Sequence, residues 1–195
     1  LDDIAAGSYI GVWSTLMTCI SILVGSVVDA IGVKKTLVIG MFAMLIGRLV
    51  MPFSNHLLFV TLFAFIPVAI GNALLIPVLS VGIKRFTTPE NTALGFGLFY
   101  TLMNVGFALG GYIFDKVREV FGEYTMNSIP ILNVEISTYQ IIFLMSFILS
   151  IPSMILILSM RDGVTVGVNG NIEIKTNHQD KSNSIVTMLL EIRKS

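Results

Sequence analysis

The stretch Gly25-Ser-Val-Val-Asp29-Ala-Ile-Gly32-Val-Lys34-Lys35 joins two long apolar segments by a very short, charged turn. Asp29 ends the first segment, Gly32 stands at the bend, and the two lysines begin the second segment. Helices that pair in water need one apolar face rather than apolar residues all round. We therefore predict that both flanking segments are membrane helices and that the turn lies at the membrane surface.

The composition favours a bilayer as the solvent. The 195 residues are 54% hydrophobic and only 12% charged, whereas soluble domains carry about 25% charged residues. The net charge of +0 gives no reason to expect a nucleic-acid partner. One cysteine, Cys19, excludes an intramolecular disulfide, and no Cys/His spacing is typical of a metal site. These features predict an integral, multi-pass protein of the plasma membrane or of an internal membrane.

Five apolar stretches are long enough to cross a bilayer, which takes roughly 20 residues of helix. Four of them contain no charged residue, and the fifth, residues 36–53, contains only Arg48. Because the apolar runs are continuous and do not alternate, the pattern argues against barrel strands. We predict an all-α membrane protein with a helical bundle over residues 1–160 and a hydrophilic cytoplasmic tail over residues 161–195. The predicted spans are residues 5–29, 34–53, 57–83, 92–114 and 137–160.

Lysine and arginine in short loops indicate which end of the bundle faces the cytoplasm. The basic residues that follow the first, third and fifth spans fall at one end, which we call the inner end: Lys34, Lys35, Lys84, Arg85, Arg161 and the lysines and arginine of the tail. At the opposite, outer end, the loop at residues 115–135 carries two cations among four acids. These charges place the start of the sequence outside the membrane, with five spans after it. The simplest complete bundle then has one further helix before Leu1.

The turn at the inner end resembles a loop of the major facilitator superfamily. Gly25, Asp29, Gly32, Lys34 and Lys35 match the pattern G-x-x-x-D-[R/K]-x-G-[R/K]-[R/K]-[R/K], which joins the second and third helices, or the eighth and ninth. The sequence departs from the pattern at residues 30 and 33, where the family has basic residues. Residues 71–77 (GNALLIP) and 86–91 (FTTPEN) are similar to the fourth helix and the following loop of these carriers.

The resemblance implies helices two to six of a twelve-helix carrier, with helices eight to twelve as the alternative. Such carriers work by alternating access, in which two six-helix bundles rock about a central site. Residues 99–106 (FYTLMNVG) resemble proton-coupled oligopeptide carriers, whereas Gly106, Gly110 and Gly111 resemble antiporter branches, so the two resemblances disagree on the substrate. The expected partners are a small-molecule solute, the lipid bilayer and the remaining helices of the same carrier.

Asp29 is then expected to act as a latch. Its charge can hold helix ends of the opposite bundle while the cytoplasmic side is closed. Gly25, Gly32, Lys34 and Lys35 complete this predicted gating loop.

Four polar residues inside the spans are candidates for lining a solute cavity. Asn72 and Asn104 lie near the middle of their spans, and Tyr100 precedes Asn104 by one helical turn. A buried amide in lipid needs a partner, so these residues either face the cavity or form interhelical hydrogen bonds. Arg48 lies 13 residues beyond Lys35, about 20 Å along the helix. It either extends to the outer headgroups or faces the cavity, where it would suit an anionic substrate or a carboxylate.

Small residues and prolines give expectations about packing. Three pairs of small residues four apart are predicted to pack against neighbouring helices: Gly7 and Gly11, Ser21 and Gly25, Gly106 and Gly110. Pro67 and Pro77 are expected to break the third span. Trp13 is expected in the interfacial belt or against a partner helix. The composition of residues 161–183, rich in Gly, Asn, Asp and Lys, predicts a flexible linker. The spacing of apolar residues over 185–192 predicts either a short amphipathic helix or coil.

The sequence contains no machinery typical of an enzyme. It has no phosphate-binding loop, no HExxH motif and no paired cysteines, so neither a catalytic residue nor a cofactor is predicted. The alternative to a carrier is a multi-span membrane protein without transport activity, such as a receptor, a channel subunit or a scaffold.

Overall fold

The computed structural model describes residues 3–54, 56–129, 134–167 and 170–174. Five helices in these ranges are long and apolar enough to cross a membrane. We number them α1 (Asp3–Ile31), α2 (Val33–Val50, followed by a 3₁₀ turn at Met51–Phe53), α3 (Leu57–Phe86), α4 (Thr92–Phe121) and α5 (Thr138–Ser159). The predicted all-α fold with five spans is confirmed. Helix α4 continues to Phe121, whereas the sequence placed the end of this span near residue 114.

The core lies between α1, α2 and α3. Aliphatic side chains from these three helices are less than a tenth exposed and pack on one another: Val24, Val28, Val33, Leu37, Met41, Met44, Leu74, Leu75 and Val78. Met154 and Ile157 of α5, and Met160 directly after it, pack against this cluster. Because α2 contacts α1, α3 and α5, it is the central helix of the described bundle.

The contact between α2 and α3 is close because three glycines lie in it. A Cβ atom added to Gly71 would come within 2.7 Å of the Gly40 carbonyl oxygen. A Cβ atom added to Gly47 would come within 2.6 Å of the Ala64 carbonyl oxygen. Small residues allow this kind of backbone approach in membrane helices.

The predicted packing pairs of small residues make no close contact within the described part of the chain, so their packing stays a prediction. A Cβ atom added to any of the five glycines in these pairs would meet nothing within 4 Å: Gly7, Gly11, Gly25, Gly106 and Gly110. A spacing of four within one helix therefore does not report which face the other described helices cover.

Helix α3 is continuous through both of its prolines. It begins with Leu57–Val60, continues as a π-helical segment at Thr61–Phe65, and resumes as α-helix over Ile66–Phe86 with Pro77 in its interior. The expected irregularity is found before Pro67, where a π-helical segment replaces regular α-helix, whereas α-helix is assigned on both sides of Pro77. Trp13 faces this segment, and its indole Nε1 donates a hydrogen bond to the Phe65 carbonyl oxygen at 3.1 Å.

Helix α4 lies at the edge of the described bundle. Of its residues, all of which the structure describes, Val117 alone is buried. Large apolar side chains such as Leu102 and Phe107 are about 70% exposed. Apolar surface of this extent requires lipid or further helices.

A β-hairpin lies between α4 and α5 at the outer end. Strands β1 (Met126–Ile129) and β2 (Val134–Ser137) pair antiparallel. Ser137 caps α5: its side chain accepts from the Gln140 N–H, and the Gln140 side chain accepts from the Ser137 N–H. Arg118 at the end of α4 donates to Glu123, and Tyr139 also contacts this carboxylate. The cations of this loop therefore pair with its own acids.

A second hairpin follows α5 at the inner end. Strands β3 (Val164–Val166) and β4 (Ile172–Ile174) pair antiparallel, and β3 packs against α3. The sequence predicted a linker without regular structure here, and over these residues that prediction was wrong. Contact with α3 supplies the stabilisation that local composition does not indicate. The predicted helix at residues 185–192 lies outside the described residues.

Candidate functional site

Gly32 is the only residue between α1 and α2, and it reverses the chain direction. Its φ of 89° is in the left-handed region that favours glycine. Its N–H donates to the Val28 carbonyl oxygen at 2.8 Å, and its own carbonyl accepts from both the N–H and the Oγ1 of Thr36. These bonds satisfy the groups that the helix ends leave open. The bend is therefore fixed and buried.

Asp29 lies one turn before this bend and contacts α3. The Arg85 Nη2 lies 3.3 Å from the Asp29 Oδ1. Arg85 is in the last turn of α3, where a cation also interacts favourably with the helix dipole. The structure thus pairs the acid of the predicted gating loop with a residue of the same bundle. The Asp29 side chain remains 55% exposed.

The gating loop borders a cavity of about 440 Å³ at the inner end. Its lining includes Lys34, Arg85 and Arg161, together with Asp162 after α5. The basic residues that follow the first, third and fifth spans therefore lie at one end of the bundle, as the sequence predicted. Lys35 is exposed beside them, and Gly25 is exposed on α1.

Arg48 faces another helix inside the bundle. Its Nη1 donates to the Ser150 Oγ and, at 3.3 Å, to the Ser146 carbonyl oxygen of α5. Of the two alternatives left by the sequence, the structure therefore has Arg48 directed inward. The Ser150 Oγ in turn donates to the Ser146 carbonyl oxygen at 2.7 Å.

A cavity of about 540 Å³ opens beside Arg48. Helices α2, α4 and α5 form its walls, which are mostly apolar: Met41, Met44, Ile113, Phe114, Ile142 and Leu149 among others. Gly106 and Gly110 also line the cavity from α4, and Ser146, Ser150 and Ser153 provide hydroxyl groups on α5. The two glycines that the sequence assigned to packing therefore line open space.

The structure does not bring the other cavity candidates to this site. Asn72 is half-buried on α3, and Tyr100 and Asn104 are exposed on α4. None of the three lines the cavity beside Arg48. Their proposed contact with a solute stays a prediction.

Sequence reasoning missed Arg85 as the partner of Asp29 and the two serines as partners of Arg48. Arg85 and Asp29 are 56 residues apart, and Arg48 and Ser150 are 102 residues apart. The polar spacing of Ser146, Ser150 and Ser153 in an otherwise apolar span was the available signal. Among the described residues, no group of three His, Cys, Asp or Glu could hold a metal ion.

Comparison with known proteins gives one match. The family model described as Major Facilitator Superfamily matches residues 1–193. No curated protein and no solved structure matches the chain.

Proposed function

The chain belongs to the major facilitator superfamily, whose members are membrane transporters, and from this premise we propose that it moves a small solute by alternating access. The five described spans belong to one bundle, and the remaining helices of the carrier complete this bundle and form the other. The inner end faces the cytoplasm, in agreement with its lysines and arginines.

The geometry of the turn carries this proposal. Gly32 joins α1 to α2 with a single residue, and Asp29 is held at the surface of the inner end by Arg85. A turn that served only to connect two helices would not need a fixed, half-exposed carboxylate at this place. The same residues form the motif by which the chain resembles the family.

Asp29 acts as a latch between the two bundles. When the inner end is closed, the half-exposed carboxylate accepts hydrogen bonds from helix ends of the opposite bundle. Arg85 orients the carboxylate in both states, because its ion pair lies within one bundle. The family motif has a basic residue directly after the acid, and in this chain Arg85 provides a cation from α3 instead.

Gly32 keeps Asp29 in a fixed position relative to α1 and α2. Its hydrogen bonds to Val28 and Thr36 fix the angle between α1 and α2, so Asp29 moves with both helices as one body. Lys34 and Lys35 attach the same turn to anionic headgroups of the inner leaflet. Rocking of the bundle is thereby transmitted to the carboxylate.

The solute passes between the bundles, along faces that the described helices leave exposed. Tyr100 and Asn104 lie on the exposed side of α4, and Asn72 lies on α3. We assign these three side chains to the solute pathway, because polar groups at this depth in a membrane need polar partners.

Uptake into proteoliposomes tests the proposal. The complete protein and the variants Asp29→Asn and Gly32→Leu are reconstituted, and uptake is measured for a panel of radiolabelled sugars, amino acids and organic acids. We expect both variants to insert normally and to transport at least about tenfold more slowly, the effect of losing a charge-assisted contact. Lys116→Gln, at the outer end, serves as the control and should transport normally. Uptake by Asp29→Asn at the wild-type rate would contradict the latch.

A further inference from the structure

Arg48 is a cation among apolar residues without a counter-charge in the described structure. It is the only charged residue in the apolar cores of the five spans. Its described partners, Ser150 and the Ser146 carbonyl, are neutral. None of the ion pairs among the described residues includes it. A charge at membrane depth is costly and marks a functional site where a polar partner must be found.

The guanidinium has donors left for such a partner. Both described hydrogen bonds are made by Nη1, so Nη2 and Nε have no acceptor among the residues that the structure describes. Guanidinium donors form a planar fork that matches a carboxylate. Arg48 also lines the 540 Å³ cavity between α2, α4 and α5, so an acceptor has room to reach it.

We propose that this cavity binds a small organic monoanion, a carboxylate carried on an apolar or aromatic body. One cation balances one negative charge. The apolar walls fit the body of such a molecule, and the volume falls within the range of small-molecule sites, about 300–1,000 Å³. This inference rests on the proposed function, since it names the class of solute that the carrier moves.

A carboxylate from a helix outside the described residues is the competing partner for Arg48. In that case the guanidinium would be neutralised within the protein, and no anion would bind to it. The two possibilities differ in whether a free carboxylate binds and whether its binding depends on Arg48.

Thermal stabilisation of the purified complete protein separates these possibilities without relying on transport. Benzoate is the probe, and benzamide, which has nearly the same shape and no charge, is its control. We expect benzoate to raise the melting temperature in a concentration-dependent way and benzamide to have no effect. Arg48→Gln should weaken benzoate binding roughly tenfold to a hundredfold, and Arg48→Lys should weaken it less because the charge remains.

A second pair of variants tests the cavity without altering the charge, in case Arg48→Gln fails to fold. Gly110 lines the cavity and neighbouring Gly111 does not. Both positions have open space where a side chain would project. Gly110→Leu should fill the cavity and abolish stabilisation by benzoate, whereas Gly111→Leu should leave it unchanged.

Two results would overturn the inference: no stabilisation of the wild-type protein by benzoate, or stabilisation that survives in both Arg48→Gln and Gly110→Leu. Transport is measured separately, by uptake into proteoliposomes. Uptake of neutral solutes that depends on Asp29, without any binding of benzoate, would refute the anion site and support the carrier. Benzoate binding that depends on Arg48, in a protein that moves no solute, would refute the carrier and support the site.

Discussion

Gly71→Ala probes the closest helix contact in the bundle. The new Cβ atom would lie 2.7 Å from the Gly40 carbonyl oxygen and 3.0 Å from the backbone nitrogen of Met44. Ordinary van der Waals contact begins at about 3.4 Å, so α2 and α3 would have to separate by about 0.7 Å. Because two of the blocking atoms are backbone atoms, no change of rotamer can relieve the clash.

The size of the effect follows from this displacement. A gap of about 0.5–1 Å loses roughly a quarter to a half of the dispersion energy of each contact. Overpacking of this kind costs about 1–3 kcal/mol, and the backbone clash places Gly71 near the upper end. Alanine regains about 1 kcal/mol through its higher helix propensity. We therefore expect a net loss of about 2 kcal/mol, which is roughly a 30-fold change in the unfolding equilibrium.

Unfolding in a titration with sodium dodecyl sulfate measures this loss. Trp13 is the only tryptophan, and it donates a hydrogen bond to α3, so its fluorescence reports on the helix contacts. Gly97→Ala is the matched control, because Gly97 lies in α4 with nothing within 4 Å of the added atom. It should be unchanged or up to about 1 kcal/mol more stable. A Gly71→Ala protein as stable as the Gly97→Ala protein would refute the reasoning.

Three further substitutions test other parts of the fold. Gly32→Ala should destabilise the protein by about 1–2 kcal/mol in the same titration, because alanine is strained at a φ of 89°; an unchanged midpoint would argue against this bend. Trp13→Phe removes the hydrogen bond to Phe65 and should cost about 1 kcal/mol, measured by thermal denaturation followed by light scattering; equal melting temperatures would be the contrary result. Ser137→Ala should cost about 1 kcal/mol and speed hydrogen exchange at the Gln140 amide; an unchanged exchange rate would contradict the cap.

The number and type of helices could be predicted from the sequence, since the length and continuity of the apolar runs are local properties. The packing of those helices could not. Gly40, Gly47 and Gly71 form the closest contact, yet the first two are seven residues apart and the third is on another helix. The pairs with the expected spacing of four, such as Gly7 and Gly11, instead meet no neighbouring helix among the described residues. Spacing identifies a face, but only the fold decides which face is covered.

In the candidate site, too, local features could be predicted from the sequence and contacts between distant residues could not. The motif with Asp29 and Gly32 could be recognised from residues close in sequence, and the left-handed backbone at Gly32 agrees with it. The partners of Asp29 and Arg48 are Arg85 and Ser150, which the fold brings together from distant helices. The serines of α5 mark a polar stripe in an apolar span, but the sequence does not show which residue of another helix pairs with them. The hairpin of β3 and β4 was missed for a related reason, because it depends on contact with α3.

Access to the cavity from the two sides of the membrane tests the central claim most directly. Ser153 lines the cavity, and a cysteine there can be labelled once Cys19 has been replaced by serine. The double variant Cys19→Ser, Ser153→Cys is reconstituted in one orientation, and a membrane-impermeant thiol reagent is added to one side or the other. A carrier that alternates predicts labelling from each side, with Asp29→Asn shifting the labelling rate towards the inner side. Labelling from only one side, whatever residue stands at position 29, would contradict the account.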